Sequence, residues 1–429
     1  MKLLFIACYS PLINNSAAIE TLQYLNKLSD IEGNEVHLLT VNFPKDCFYY
    51  DKELLSMLSK NIRVHLIEGG LIFKKLLPKK KNIKTSSKSD NTNGNLKKVL
   101  RKVKNAVVIP DMYYGWSRKA YKYGINLVRK ENIDTIFSMH EPPSSHLCAY
   151  KIKEKFKEIS WTTYWSDPWL KDSTRQKSFF LKKLIEKKME RKIVSLSDRF
   201  IFVTQSNRLD YINDYTKLNE NNTFLINRGF DNSLYKKLES EKVPELIDNR
   251  KINIIYTGEI FSKLRNINPF VNALKEIEEE SLDDYEKFNV LFFGNIDDIE
   301  AKKKLEELKI VKVSPRIPFN EALKYMLNGD ILLLFGNKNS KQIPAKIYDY
   351  FGAKGKILVI YGDENDPIRK ITECNNKCIC SSNLTEKIKK CLYEILNKYN
   401  NKELKGNPDF KYEWNSIVYK LNDILRGDD

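Results

Sequence analysis

Short apolar runs alternate along most of the chain with segments whose apolar residues recur every three or four positions. That alternation predicts strands joined by helices, the pattern of a parallel α/β fold. In the first half, residues 3–8, 36–41, 63–67, 135–139, 161–164 and 199–203 read as strands. A helix is expected over 17–28, where Ala18, Leu22, Leu25 and Leu28 share one face. The pattern then restarts. Strands are expected at 252–256, 290–293, 311–313, 331–334 and 357–361, with helices at 269–280, 298–308, 320–327 and 344–353. A last helix is expected over 412–425, and the charged stretch 232–251, with Pro244 inside it, is the expected boundary. The resulting domains are residues 1–232, residues 245–405 and a C-terminal helical piece over 406–429.

A length of 429 residues exceeds one ordinary core, and 42% hydrophobic with 11% aromatic residues excludes global disorder. No run reaches the ~18 apolar residues of a membrane span. The apolar start, residues 3–8, is followed at once by Tyr9, Pro11, Asn14 and Asn15, which suits a buried strand rather than a signal peptide. Seven dispersed cysteines, at 8, 47, 148, 374, 378, 380 and 391, point to a reducing, cytoplasmic setting.

Charge changes the picture further. The formal net charge is +17, and residues 71–130 hold seventeen Lys and Arg against only Asp90 and Asp111. A basic region of this kind suits a nucleic acid, an acidic membrane face or a phosphorylated substrate. Residues 79–95 read as an exposed polar loop between two basic amphipathic pieces. One is residues 72–77. In the other, Leu96, Val99, Leu100, Val103 and Val107 share a helical face while Lys97, Lys98, Arg101, Lys102 and Lys104 lie elsewhere, the pattern of a helix in an anionic bilayer interface or of a solvated helix on its own domain. The charge is confined to one region and no nucleic-acid module is recognisable, so nucleic acid is not the expected partner.

Candidate chemistry falls at the ends of expected strands, where open parallel sheets bind ligands. Residues 10–17, Ser-Pro-Leu-Ile-Asn-Asn-Ser-Ala, enter the first helix, and Asn15 or Ser16 is equally suited to cap it. Ser138-Met139-His140-Glu141-Pro142-Pro143 places one of only four histidines directly after a strand, as a site residue or a structural one. Trp165-Ser166-Asp167-Pro168-Trp169 follows another strand, with Asp167 as sugar ligand or turn residue. Tyr256-Thr257-Gly258-Glu259 opens the second half and leads to Lys263 and Arg265. In Ile343-Pro344-Ala345-Lys346-Ile347-Tyr348-Asp349, Pro344 suits a first helical turn. Cys374, Cys378 and Cys380 lack the spacing and fourth ligand of a zinc site, and Asp297-Asp298 suits a helix start, so no metal is expected.

Taken in order, these segments, with Asn227-Arg228-Gly229-Phe230-Asp231, resemble glycosyltransferase family 4, over nearly the whole chain. The resemblance implies the GT-B fold, two Rossmann-like domains facing across a cleft. It implies transfer, with retention at the anomeric carbon and without a metal or cofactor, from a UDP- or GDP-sugar to a glycan or lipid-linked glycan. It places His140 beside the transferred sugar and Arg265 against the departing diphosphate. Gly258, Ile343, Pro344, Ala345, Lys346 and Asp349 would hold the donor, with Asp349 on the ribose; Asn15, Ser16, Ala17 and Asp167 would face the acceptor. The chain departs from the family in lacking paired glycines at 10–17, in Glu259 where an arginine is frequent, in Asp349 for the usual glutamate, and in Lys341 for a second glutamate. The implied setting is capsule, O-antigen or similar surface-polysaccharide synthesis, peripheral on the inner face of the cell membrane. The rival readings are a nucleotide-sugar epimerase of the same architecture and a non-enzymatic nucleic-acid-binding protein.

Overall fold

The computed structural model describes residues 1–80, 108–140, 142–171, 180–339 and 342–428. The expected basic helix over 96–107, most of the expected loop over 79–95, Glu141 and Lys341 lie outside them. The chain divides into two compact units, Met1–Asn227 with Ile417–Asp429, and Arg228–Ser416. The charged stretch 232–251 holds the helix Asn232–Glu239 and belongs to the second of these.

The first unit contains β1 (Lys2–Ala7), β2 (Glu35–Asn42), β3 (Arg63–Glu68), β4 (Thr135–His140), β5 (Ser160–Trp165), β6 (Arg199–Phe202) and β7 (Thr223–Leu225). The second contains β8 (Ile252–Thr257), β9 (Phe288–Phe293), β10 (Val311–Ser314), β11 (Ile331–Phe335), β12 (Lys356–Tyr361) and β13 (Cys378–Ser382). The sheet orders are β3-β2-β1-β4-β5-β6-β7 and β10-β9-β8-β11-β12-β13. Every pairing is parallel. Both orders reverse direction after their first strand, which is the Rossmann-like winding. The expected α/β fold of two such domains is therefore the observed one.

The apolar runs are continuous because both faces of a parallel sheet are covered. In β11, Ile331, Leu333 and Phe335 enter one core while Leu332 and Leu334 enter the core on the opposite face. Strand β12 divides in the same way, Leu358 and Ile360 against Ile357, Val359 and Tyr361. At the edge, β3 keeps only half-buried and exposed positions, and its Arg63 and Glu68 suit an edge that must resist further pairing.

Three elements were not predictable from apolar periodicity. Strand β7 is three residues long, β13 reads Cys-Ile-Cys-Ser-Ser, and the helix Thr385–Asn400 follows it. Cys378 and Cys380 sit two apart because they lie on one face of β13, where both pack against the core. The expected helix over 412–425 resolves into a short turn, Phe410–Tyr412, and the helix Trp414–Arg426. Between them Glu413 accepts the Asn415 N–H at 2.7 Å. The helix expected from Pro344 begins only at Lys346 and ends at Gly352.

Truncating Leu333, fully buried in β11, to Ala should cost about 2–5 kcal/mol of unfolding free energy. Leu66→Ala in β3, where the side chain is 45% exposed, should cost under about 1 kcal/mol. Urea titrations of both variants check the contrast.

Candidate functional site

The second unit gathers its polar side chains at the carboxyl ends of β8–β11. Gly258 follows β8 and Gly294 follows β9, both at positive φ, 136° and 138°. A Cβ on Gly294 would lie 2.0 Å from the Gly258 carbonyl oxygen, so the two strand ends touch through their backbones. A Cβ on Gly258 would lie 2.5 Å from Lys346 Cε, so the lysine stem crosses directly over that glycine. Both positions require glycine for conformation and for space.

The loop after β8 is tied down before it reaches Arg265. Ile260 and Asn295 join through a 2.8 Å main-chain bond, and Asp297 accepts the Ser262 N–H at 2.7 Å. Asp298 caps the helix Ile299–Glu306, as its position predicts. Arg265 then turns inward. Its Nε donates to Asn337 Oδ1 at 3.0 Å, and its Nη1 donates to the Glu259 carbonyl at 2.8 Å and to the Tyr256 hydroxyl at 3.3 Å. Lys263, its competitor in the sequence, is exposed. Across the same strand ends Arg316 pairs with Glu259 at 3.6 Å.

Pro344 lies outside the following helix, whose cap is Ala345. The Pro344 carbonyl accepts the Ile347 N–H at 3.2 Å, so Ile343 and Pro344 form the approach to the helix rather than its first turn. Lys346 is the first helical residue, and Asp349 also lies in the first turn, one turn earlier than a helix starting at Pro344 would place it. The Tyr235 hydroxyl donates to the Asp349 main-chain carbonyl at 3.2 Å.

The charges here perturb one another. Burial pulls the Lys346 ammonium down to about 8, against the attraction of Asp349, and Arg316 and Arg265 push it in the same direction as burial. Burial raises the Asp349 carboxyl to about 6, while Lys346 and Arg228 pull it back. Burial also raises Glu259, opposed first by Arg316. Lys346 and Arg228 thus act on Asp349, Arg316 and Lys346 act on Glu259, and Arg265 acts on Lys346, with Lys346 and Asp349 half-buried and Arg316 exposed. Such a site favours an added anion, because desolvated cations gain more from a counter-charge than solvated ones do.

Arg316, Asn337 and Arg228 were absent from the residues predicted for the site. Arg316 and Asn337 each lie two residues beyond a strand, the signal that singled out Gly258. Arg228 appeared only as an additional residue in its motif.

In the first unit, the predicted residues also lie at strand ends. Asn15 accepts the Ala18 N–H at 2.8 Å, so it caps the helix Ser16–Ser29; Ser16 is exposed and Ala17 half-buried. The end of β1 is joined to the start of the helix Ser144–Lys155, where Cys8 N–H donates to Ser145 Oγ at 2.9 Å. His140 is the last residue of β4, rather than the first after it, and is 2% exposed. Its ring stacks on Trp165 at 5.5 Å, with His146 at 5.8 Å and Trp169 at 6.3 Å. His146 is held neutral by burial, down to about 3. Ser138 Oγ, which accepts the Trp161 indole N–H at 2.8 Å, lies 2.7 Å from His146 Nδ1. Asp167, two residues beyond β5, is half-buried, and Pro168 and Trp169 behind it are buried.

No family model and no curated protein matches the sequence. Solved structures do match. UDP-GlcNAc 2-epimerase from Neisseria meningitidis, bound to UDP-GlcNAc, is similar at 11% identity and TM-score 0.57 over 100% of both chains. UDP-GlcNAc 2-epimerase from Methanocaldococcus jannaschii is similar at 13% identity and TM-score 0.59, again over 100% of both. The E. coli trehalose-6-phosphate structure bound with UDP-2-fluoro glucose is similar at 9% identity and TM-score 0.57, over 100% of this chain and 96% of that one. Identities this low establish a shared fold, the GT-B fold.

Replacing Asp349 by Asn should stabilise the protein. The folded-state pKa of about 6 stands above the ordinary aspartate value of 3.8. The folded chain therefore holds this proton more tightly, and the associated stability is lost as pH rises from about 4 through about 6. The thermal midpoint of Asp349→Asn should match the parent at acid pH and exceed it above pH ~6; scanning calorimetry across that range checks the sign.

Proposed function

We propose that the protein binds a nucleotide sugar through its second unit and transfers the sugar, as a glycosyltransferase of the family 4 kind. The observation that carries this reading is Lys346 over Gly258, under the electrostatic influence of Arg265 and Arg316, with Asp349, which Arg228 also influences, in the same first helical turn. Leaving-group departure from a nucleotide sugar accumulates negative charge on the diphosphate, and fixed cations stabilise that charge where it develops. Arg265 is the best placed, since three acceptors hold its guanidinium before any ligand arrives. Lys346 adds a cation, with the amide approach of Ile343, Pro344 and Ala345 beside it, and Asp349 accepts the ribose hydroxyls. UDP- or GDP-sugars are the donors proposed.

The first unit is proposed to serve the acceptor, a glycan or lipid-linked glycan, with Asn15, Ser16, Ala17 and Asp167 near it and His140 acting at the sugar. The setting proposed is surface-polysaccharide synthesis, capsule or O-antigen, in the cytoplasm at the inner membrane face. Among the described residues no helix is long and apolar enough to cross a membrane. A second reading, epimerisation of the nucleotide sugar itself, has equal support from the fold, since several similar structures are UDP-GlcNAc 2-epimerases. Incubation with individual UDP- and GDP-sugars separates the two. Epimer formation without acceptor, followed by NMR, supports the second; product formed only with lipid extract, detected by mass spectrometry, supports the first.

Arg265→Ala should weaken nucleoside diphosphate binding about ten- to hundredfold, the size of a lost charge-assisted bond, while leaving the nucleoside nearly unaffected. Asp349→Ala should weaken both ligands alike. Calorimetric titration distinguishes the patterns, and parental affinity in both folded variants refutes this donor site. His140→Ala should lower turnover more than nucleotide affinity.

Nucleoside diphosphate affinity should also be bell-shaped in pH. Protonation of Asp349 removes the ribose acceptor below about 6, and deprotonation of Lys346 removes a cation above about 8. Affinity measured from pH 5 to 9 should show both limbs, with Asp349→Asn losing the acid one.

A further inference from the structure

The helix Phe180–Leu196 in the first unit sorts its charges unusually. It carries six Lys and Arg and two acids, and both acids face inward, Glu186 at 2% and Glu190 at 3% exposure. Glu186 lies 3.8 Å from Lys182, and Glu190 accepts the Tyr215 hydroxyl at 2.8 Å. The exposed residues of the helix are cations, large apolar side chains and Ser195. Phe180, Leu181, Leu184 and Ile185 are 72%, 60%, 48% and 42% exposed and form a stripe on the first two turns. Lys183, Lys187 and Lys188 are exposed beside them.

A second element repeats the combination. In the helix Gly70–Leu76, Phe73 is buried, while Leu71 and Ile72 are 80% and 45% exposed beside Lys74 and Lys75. The apolar piece expected over 72–77 thus divides between the core and the surface. Both helices are anchored on one short stretch of chain. Lys182 Nζ donates to the Val108 carbonyl at 2.8 Å, and the Phe73 ring packs on Tyr113 at 5.4 Å.

A solvated helix ordinarily mixes both signs outward and turns its large apolar residues inward. Here the acids are inward and four large apolar groups are outward. We propose that this face of the helix Phe180–Leu196 docks on a bilayer rich in anionic lipid, its apolar stripe entering the acyl boundary and its lysines meeting the headgroups. Charge complementarity selects this occupant, since among the described residues the outward face of this helix holds cations and no carboxylate of its own, which matches a continuous anionic surface. Lysine stems also extend along apolar surface while keeping the ammonium at the headgroup level. The surface is separate from the expected basic helix over 96–107 and does not rest on the sugar chemistry.

The test uses the full chain, sedimented with vesicles of mixed phosphatidylglycerol and phosphatidylcholine and with vesicles of phosphatidylcholine alone. The parent should partition to the anionic vesicles and be released at ~0.5 M salt. K183Q/K187Q/K188Q should lose roughly a hundredfold in partitioning, a factor of about five per charge. L181S/L184S/I185S should lose at least about tenfold. All six side chains are on the surface, and an unchanged circular dichroism melt for either variant establishes that it folds. The proposal is overturned if both folded variants partition like the parent, or if the parent takes up neutral vesicles equally well. It is also overturned if the parent sediments without lipid as a dimer that the serine variant dissociates, which would make a second copy the occupant.

Discussion

A parallel sheet covered on both faces leaves only its strand ends for polar work, and the candidate site in the second unit follows from that constraint. The interiors of β11 and β12 are apolar, so no ligand can be addressed there without removing the core. At the carboxyl ends the backbone must leave the sheet within a residue or two. Glycines 258 and 294 allow it by taking conformations closed to other residues and by letting two strand ends touch. Side chains that follow β8, β10 and β11 lie within electrostatic reach of one another there.

The resulting charge group is internally unbalanced. Lys346 is pulled down and Asp349 pushed up, although each is the other's nearest attraction. Burial dominates both shifts, so mutual pairing does not fully replace lost water. An anionic ligand relieves this tension from the cation side, and hydroxyl donors relieve it at the carboxylate. A buried charge group held under such tension is the kind of local cost that functional sites carry.

The first unit uses the same architecture with a different chemistry at its strand ends. Aromatic rings, rather than cations, surround His140, and Asn15 is engaged as a helix cap. Its cations lie outward instead, on a helix whose acids are buried.

Local order was legible in the sequence because it is written in local periodicity. Eleven strand positions, the entry to the helix Ser16–Ser29 and the capping aspartate Asp298 follow from neighbours within a turn or two. Gly258, Arg265, Lys346 and Asp349 stood out because the segments that hold them resemble those of glycosyltransferase family 4. Strands without an apolar signature, β7 and β13, did not, and the start of the helix after Pro344 shifted by two residues. Only tertiary structure showed Arg265 held inward and Lys263 exposed, set Arg316, Asn337 and Arg228 among their partners, and turned Glu186 and Glu190 inward. Residues dozens of positions apart meet through strand order and parallel register, and a pattern confined to one segment carries no information about either.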